Sequence, residues 1–242
     1  MQESDKAPVI TVDGPSGSGK GTLAQLLAQH LGWHYLDSGA LYRVLALAAN
    51  HQGITLSNQE DLGSLVQNLD VQFASDSARA LIRVFLDGVD VSDIIRSEDC
   101  GNIASKIAVL PKIREILLVW QRDFHKAPGL VTDGRDMGTV VFPEAVLKIF
   151  LTANSQERAK RRYKQLKEKG IEANLCLLER EIAERDERDY KRDNAPLKQA
   201  NDAIILDSTK LAIEDIFQQV LLWLPDKLQV YKGQPKAFNT EG

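Results

Sequence analysis

The sequence predicts a three-layer α/β protein built on a five-stranded parallel sheet, and three observations carry that prediction. Short apolar runs alternate with stretches of helical period; a glycine-rich turn joins the first run to the first helix; and 242 residues, 43% apolar and 26% charged, suffice for a full core. The runs are Val9–Val12, His34–Asp37, Leu130–Thr132, Leu147–Thr152 and Ala203–Leu206, each followed by a helical pattern directly or after a loop.

Taken in order, Val9–Val12 reads as the first strand, and the turn after it is Gly14-Pro15-Ser16-Gly17-Ser18-Gly19-Lys20-Gly21-Thr22. Glycines at that spacing let backbone N–H groups converge on phosphate oxygens, and Lys20 adds a cation at the start of a helix whose own N-terminus is partly positive. Strand, loop and helix in this order favour a phosphate-binding loop over an ordinary glycine turn. Gly21 stands where a hydroxyl usually follows the lysine, with Thr22 one residue later, so a metal here is expected to be held mostly by phosphates and water. The helix Lys20–Leu31 shows an apolar stripe at Leu23, Leu26, Leu27 and Leu31, and Gly32 is placed to stop it. Ser38 is expected to cap a helix from about Ala40 to Asn50, with Ser155 and Thr209 in the same role later.

The stretch Asp70–Ser97 differs in kind. Asp70–Ala74 alternates, Leu81–Leu86 is strand-like, Asp87-Gly88 is a hairpin signal, and Val89 to Ile95 resumes an extended pattern, so a small antiparallel insert is expected here as a satellite. The chain thus divides into a phosphate-loop core (9–38, 103–155 and 193–224), a region 39–102 containing the insert at about 70–97, and a lid with arginine-rich helices over 156–192. A tail precedes it at 1–8, and a mobile tail is expected over 225–242.

Composition excludes several classes. A net charge of −4 argues against a general nucleic-acid binder. Cys100 and Cys176 lie far apart without metal-site spacing, which fits a reducing compartment. The N-terminus lacks the basic start and apolar run of a secretion signal, and no segment nears the roughly 20 apolar residues of a membrane span. The expectation is a soluble, cytoplasmic monomer without nucleic-acid or membrane partners.

Between Glu157 and Arg192 lie 12 of the 30 lysines and arginines, interleaved with nine carboxylates. Glu181 with Arg185 and Glu184 with Arg188 are spaced as surface pairs. Yet Leu175, Leu178 and Ile182 mark an inward stripe, and its continuation falls on Arg185, Asp189 and Arg192. Guanidinium groups on an inward face need anionic partners, so that face is expected to line a cleft for a polyanion. Arg158, Arg161 and Arg162 form a second cluster, on a lid that would carry them onto phosphates. A further constellation, Thr132-Asp133-Gly134-Arg135-Asp136-Met137-Gly138, follows a strand, at the sheet end where open parallel sheets bind ligands. Gly134 and Gly138 would permit a sharp loop; Arg135 offers a bidentate donor and Asp136 an acceptor.

The motifs GPSGSGKGT (Gly14–Thr22), LDSGALYR (Leu36–Arg43), DGRDMGTVVFP (Asp133–Pro143) and ERDERD followed by Arg192 and Ala195-Pro196 together resemble those of nucleoside monophosphate kinases, specifically the bacterial cytidylate kinase family. The resemblance runs from Val9 to about Leu224. It implies a P-loop NTPase-type fold whose insert sits in a monophosphate-binding domain. It also implies an enzyme that moves the γ-phosphoryl group of ATP, with Mg²⁺, onto CMP or dCMP. By that resemblance Arg43, Arg135 and Arg192 bind the acceptor phosphate; Ser105, Arg114 and Asp136 read cytosine; Arg185 and Asp189 hold the sugar; and Ser38 and Tyr42 line the same pocket. Lys20, Arg43, Arg135 and Arg192 are then the catalytic group, with no general base, because a phosphate monoester is already largely ionised at neutral pH. Arg188 is expected to join Arg158, Arg161 and Arg162 in closing over the transferring group. The metal's ligands stay unassigned, with Asp13 and Asp133, each at a strand end, as candidates for ordering its water. A kinase for UMP, AMP or shikimate, or a non-catalytic nucleotide sensor, is the alternative.

Overall fold

The protein is described here from a computed structural model covering residues 7–76 and 81–224. The expected C-terminal tail therefore lies outside the described residues, as does most of the N-terminal one.

Five parallel strands form the main sheet: β1 (Val9–Asp13), β2 (His34–Asp37), β6 (Leu130–Gly134), β7 (Leu147–Thr152) and β8 (Ile204–Asp207), in the spatial order β2-β6-β1-β7-β8. All five residues of β1 and all five of β6 are buried, as strands in the middle of a sheet covered on both faces must be. From β1 the chain moves to β2 on one side, and after β6 it crosses to β7 on the other. This reversal leaves a crevice beyond the carboxyl ends of β1 and β6, where Asp13 pairs with Gly134 in register.

Alternation along β1 feeds two cores. Val9 joins a cluster with α2 (Ser38–His51), α4 (Glu98–Ile107) and α5 (Pro111–Asp123), while Ile10 and Val12 face α1 (Lys20–Leu31) and α8 (Ile213–Trp223). Helix α2 is apolar nearly all round, with Leu41, Val44 and Leu45 fully buried, because α3 (Gln59–Gln67) and α4 cover the side away from the sheet. Each such leucine contributes about 1.5–3 kcal/mol of burial, which makes this helix a main fixture of the fold.

The insert forms an antiparallel sheet of β3 (Val71–Asp76), β4 (Leu81–Leu86) and β5 (Val89–Asp90). Asp87 and Gly88 both have positive φ, 49° and 79°, as a two-residue hairpin turn of this hand requires. The extended stretch expected to reach Ile95 stops at Asp90, and Ile94–Arg96 forms a single 3₁₀ turn. Three short strands bury little apolar surface alone; accordingly Val71, Val84 and Leu86 pack into the same core as α2 and α4 rather than standing off as a satellite. Helices α6 (Ser155–Glu168) and α7 (Leu175–Lys191) share a small cluster of their own, made by Ala159, Leu166, Leu178 and Ile182.

Three capping expectations change. Asp37, not Ser38, caps α2 by accepting from the Ala40 N–H at 3.0 Å. Asn154 caps α6, with Ser155 its first helical residue. Thr209 instead donates to Asp207 and accepts from the Asn154 N–H, and α8 begins later, at Ile213. In the first two cases a neighbouring side chain reaches the free amides; α8 has no side-chain cap and carries Glu214 and Asp215 in its first turn. As expected, Gly32 ends α1 in a left-handed conformation; α7 is capped by Asn174, which accepts from the Leu177 N–H at 3.2 Å.

Gly14 is the residue that turns the chain out of β1, at φ 152°, and a Cβ there would lie 2.0 Å from the Leu151 carbonyl oxygen in β7. Gly14→Ala is therefore expected to destabilise the fold by about 2 kcal/mol or more, because backbone must shift. Chemical denaturation would measure this, and an unchanged midpoint would contradict it.

Candidate active site

The loop that leaves β1 closes on the N-terminus of α1. Gly17 and Gly19 hold φ of 76° and 96°, and α1 starts with no side-chain cap and no acidic residue in its first turn. The other described α-helices have a capping side chain, an early proline or early acids there. Free amides, the helix dipole and Lys20 thus converge on one point, as an anion site requires. Lys20 is folded against the loop, its Nζ donating to the Pro15 carbonyl at 3.3 Å. Burial, then the positive field of Arg135, pulls its pKa below the ordinary lysine value. Neighbouring Asp133 is pushed the other way by burial and by Asp37, while the Tyr35 hydroxyl donates to it at 2.7 Å. A cavity of about 460 Å³ runs over Ser16–Gly19 and Thr22 and is walled by Arg161 and Arg162 from α6.

A second cavity, about 220 Å³, starts at Lys20 and Gly21 and runs beneath α7. From α2 and its start it receives Ser38, Tyr42 and Arg43; from α4 and α5, Ser105 and Arg114; from the segment after β6, Arg135 and Asp136; and from α7 and its C-terminal cap, Arg185, Asp189 and Arg192. Four segments remote in sequence are brought to one hollow. Arg43 and Arg185 line both cavities, so the two meet there.

Charge pairing inside is incomplete. Six cationic side chains, Lys20 and five arginines, face the four carboxylates of Asp37, Asp133, Asp136 and Asp189. Arg135 donates from Nε to Asp189 at 2.6 Å. Burial alone would raise the Asp189 pKa, but Arg135 and Arg185 outweigh it and hold the carboxyl below its ordinary value. Arg114 pairs with Asp136, and Arg192 approaches the other oxygen of that carboxylate at 3.6 Å while its Nε donates to the Ala195 carbonyl at 2.6 Å. The Arg192 Nη2 and Arg185 Nε are buried without a hydrogen-bond partner among the described residues. Burial, with Arg135 and Arg43 nearby, pulls Arg185 down to about 9. Unsatisfied buried guanidinium nitrogens and a formal excess of two positive charges suit a phosphate monoester dianion.

The sequence model of the family described as cytidylate kinase matches residues 10–225. The chain belongs to the cytidylate kinase family. A cytidylate kinase of Nitrosococcus oceani is 70% identical over 224 residues, spanning 93% of this chain and 99% of that protein. One from Shewanella denitrificans is 57% identical over 218 residues, spanning 90% and 96%. Membership of a kinase family implies a nucleotide phosphoryl donor.

Within this cytidylate kinase family chain, several expected site residues have other partners. Asp13 spends both carboxylate oxygens on the Met137 and Gly138 N–H groups, each at 2.8 Å, and burial pushes its pKa up to about 6. It therefore pins the single π-helical turn Met137–Val141 instead of facing a metal. Gly134 and Gly138 serve close approach, with no positive φ: a Cβ would lie 2.5 Å from the Ser38 Oγ at the first and 2.9 Å from the Thr11 Oγ1 at the second. Asp133 and Arg135 do not pair as a surface turn; both are turned inward, to Tyr35 and Asp189. On α7 the surface pairs are Arg180 with Glu184, at 2.8 Å, and Glu187 with Lys191, at 2.7 Å, because Arg185 points inward and Arg188 donates to Ser105 at 3.3 Å. Arg162 is bound to Glu98 at 2.5 Å, and Arg161 donates to Ser208 Oγ at 3.0 Å. Arg158 lines neither cavity.

Sequence reasoning missed Asp37, Arg96 and Glu98 as cavity residues, and Tyr35 and Asp186 as partners of charged groups. Asp37, Tyr35 and Asp186 had a signal, since Asp37 lies within the LDSGALYR motif, Tyr35 directly precedes it, and Asp186 lies within ERDERD. The others come from helix contacts that no local pattern reveals.

Proposed function

We propose that this chain transfers the γ-phosphoryl group of ATP to the 5′-phosphate of CMP or dCMP, giving ADP and CDP or dCDP. The observation that carries the reading is the 220 Å³ cavity, which begins at Lys20 of the phosphate loop and ends at the Arg114–Asp136 pair. Donor phosphates would rest on the loop amides of Gly14–Thr22 and on Lys20, with Arg161 and Arg162 beside them. The acceptor phosphate would be held by Arg43, Arg135 and Arg192, and the sugar by Arg185 and Asp189. At the far end the Asp136 carboxylate accepts from the exocyclic amine of cytosine, and Arg114 donates to its ring acceptors, with Ser105, Tyr42 and Ser38 on the walls. Uracil would set a carbonyl against that carboxylate.

No proton needs removal from the acceptor, so rate depends on alignment and on charge neutralisation by groups already in place. The residues around Gly21 fit a hydrated Mg²⁺: a Cβ there would lie 3.7 and 3.8 Å from the two Asp133 oxygens, so that carboxylate faces the room left by the absent side chain. The ion would neutralise phosphate charge, with Asp133 ordering its water. We further propose that 39–102 acts as the monophosphate-binding region, that 156–192 closes over the phosphates and excludes water, and that the protein works as a cytoplasmic monomer. Among the described residues no helix is long and apolar enough to cross a membrane.

ADP release measured with CMP, dCMP, UMP and AMP tests the reading. CMP and dCMP are expected to turn over at least about 100-fold more efficiently than UMP or AMP. Equal efficiency with CMP and UMP would defeat the role given to Asp136.

A further inference from the structure

Arg158 is 4% exposed, and each of its three guanidinium nitrogens donates to the protein. Its Nε reaches the Ala153 carbonyl just beyond β7 at 2.9 Å; Nη1 reaches the Ser16 carbonyl at the tip of the phosphate loop at 2.9 Å and Asp186 Oδ1 at 3.0 Å; and Nη2 bonds the other oxygen of Asp186. Asp186 stands on α7 directly after Arg185 and three residues before Asp189. The helix that bears Arg158 lies against the loop itself, since a Cβ on Gly17 would be 3.1 Å from the Arg158 Cβ.

We infer that Arg158 and Asp186 are a positioning pair: one buried ion pair that ties the phosphate-loop tip and the end of β7 to the helix presenting Arg185 and Asp189, and so sets the donor loop and the acceptor arginines at a fixed separation. The inference rests on the phosphotransfer reading above. Neither residue touches a nucleotide in this arrangement. Swinging Arg158 out to a phosphate would break every one of these bonds and strand the Asp186 carboxylate, 15% exposed, without its cation. Buried ion pairs are poor sources of net stability, whereas in-line transfer is sensitive to misplacement on the order of 1 Å. Geometry is therefore the stronger reason for this pair.

Arg158→Gln and Asp186→Asn, singly and together, test it through kcat and KM for both substrates, the dissociation constant of ATP alone by calorimetry, and thermal unfolding. Each single variant is expected to lower kcat at saturating ATP and CMP by about 10- to 100-fold, with ATP affinity changed less than about twofold. The double variant should be no slower than the slower single, because either change breaks the same tie. Three results would overturn the inference: Arg158→Gln weakening ATP about tenfold while Asp186→Asn leaves kcat intact, losses that multiply in the double variant, or lowered melting with unaltered kcat. Asp186→Glu keeps the charge should the neutral variants fail to fold; its longer side chain is expected to lower kcat without changing ATP affinity, and an unchanged kcat would equally sink the pair. Wild-type turnover of CMP separates the two readings: its absence counts against the phosphotransfer reading, whereas variants that match it count against the pair.

Discussion

Replacing Lys20 by methionine is expected to lower kcat about a thousandfold or more while leaving the protein folded. Lys20 is the cation of the loop, half-buried, with its pKa pulled down by desolvation and by Arg135. That depression means the empty protein holds the charge at a cost, which an anion would relieve. The energetics of removal therefore run in opposite directions. In the free protein a methionine of similar length removes a partly desolvated charge whose desolvation and repulsion from Arg135 outweigh its attraction to Asp133 and Asp37, so thermal unfolding should stay the same or move upward. In the transition state the same change deletes a cation from beside developing phosphate charge, where one preorganised electrostatic contact is worth roughly 10²–10³ in rate and more when several phosphate oxygens share it. Steady-state kinetics at saturating ATP and CMP, paired with a thermal melt, decide the matter. A loss of less than tenfold would show that the loop amides and arginines suffice, and would remove Lys20 from the catalytic group.

Asp136→Asn is expected to collapse the preference for CMP over UMP by about two to three orders of magnitude. Asp136 is 5% exposed and held by Arg114 on one oxygen with Arg192 near the other. An ionised carboxylate only accepts, so under the proposed function it would accept from the cytosine amine and repel the uracil carbonyl. An asparagine presents a donor on one side and loses the charge that fixes both guanidinium groups. Efficiency with CMP should fall because Arg192 then loses its nearest carboxylate, while UMP should gain from the new N–H donor. The measurement is kcat/KM for the two acceptors in parallel. An unaltered ratio would move base recognition elsewhere in the cavity, whatever the absolute rates.

How far the sequence could be read depended on how local the cause was. The strands of the main sheet, the phosphate loop, the stop at Gly32 and the Asp87-Gly88 turn all follow from patterns within a few residues, and the fold shows each of them. The change from leucine to charge along α7 was also legible, because a helix keeps its phase: Leu178, Ile182 and Asp189 lie on the buried side. Less local choices were not. Whether Ser38 or Asp37 reaches the free amide of Ala40 depends on fractions of an ångström. Asp13 is committed to two amides more than 120 residues away in sequence, so no reading of β1 reveals it. Where β5 ends, at Asp90, the Ser92 Oγ accepts from the Val84 N–H at 2.8 Å, a contact across the hairpin that the run from Val89 does not announce.

Sequence alone thus determined the chemistry available: a lysine-bearing amide cradle, an arginine-rich helix with an inward face, and a carboxylate beside a strand end. Tertiary structure decided which charges stay free for a ligand and which are consumed by the protein. Arg158 and Arg185 look alike in sequence, yet one is bonded at every nitrogen while the other keeps a buried Nε unpaired among the described residues. The physical reason is range. Dihedral preferences and apolar periodicity act within a helical turn, whereas the partner of a buried guanidinium is whichever carboxylate or carbonyl the packed elements bring within about 3 Å of it.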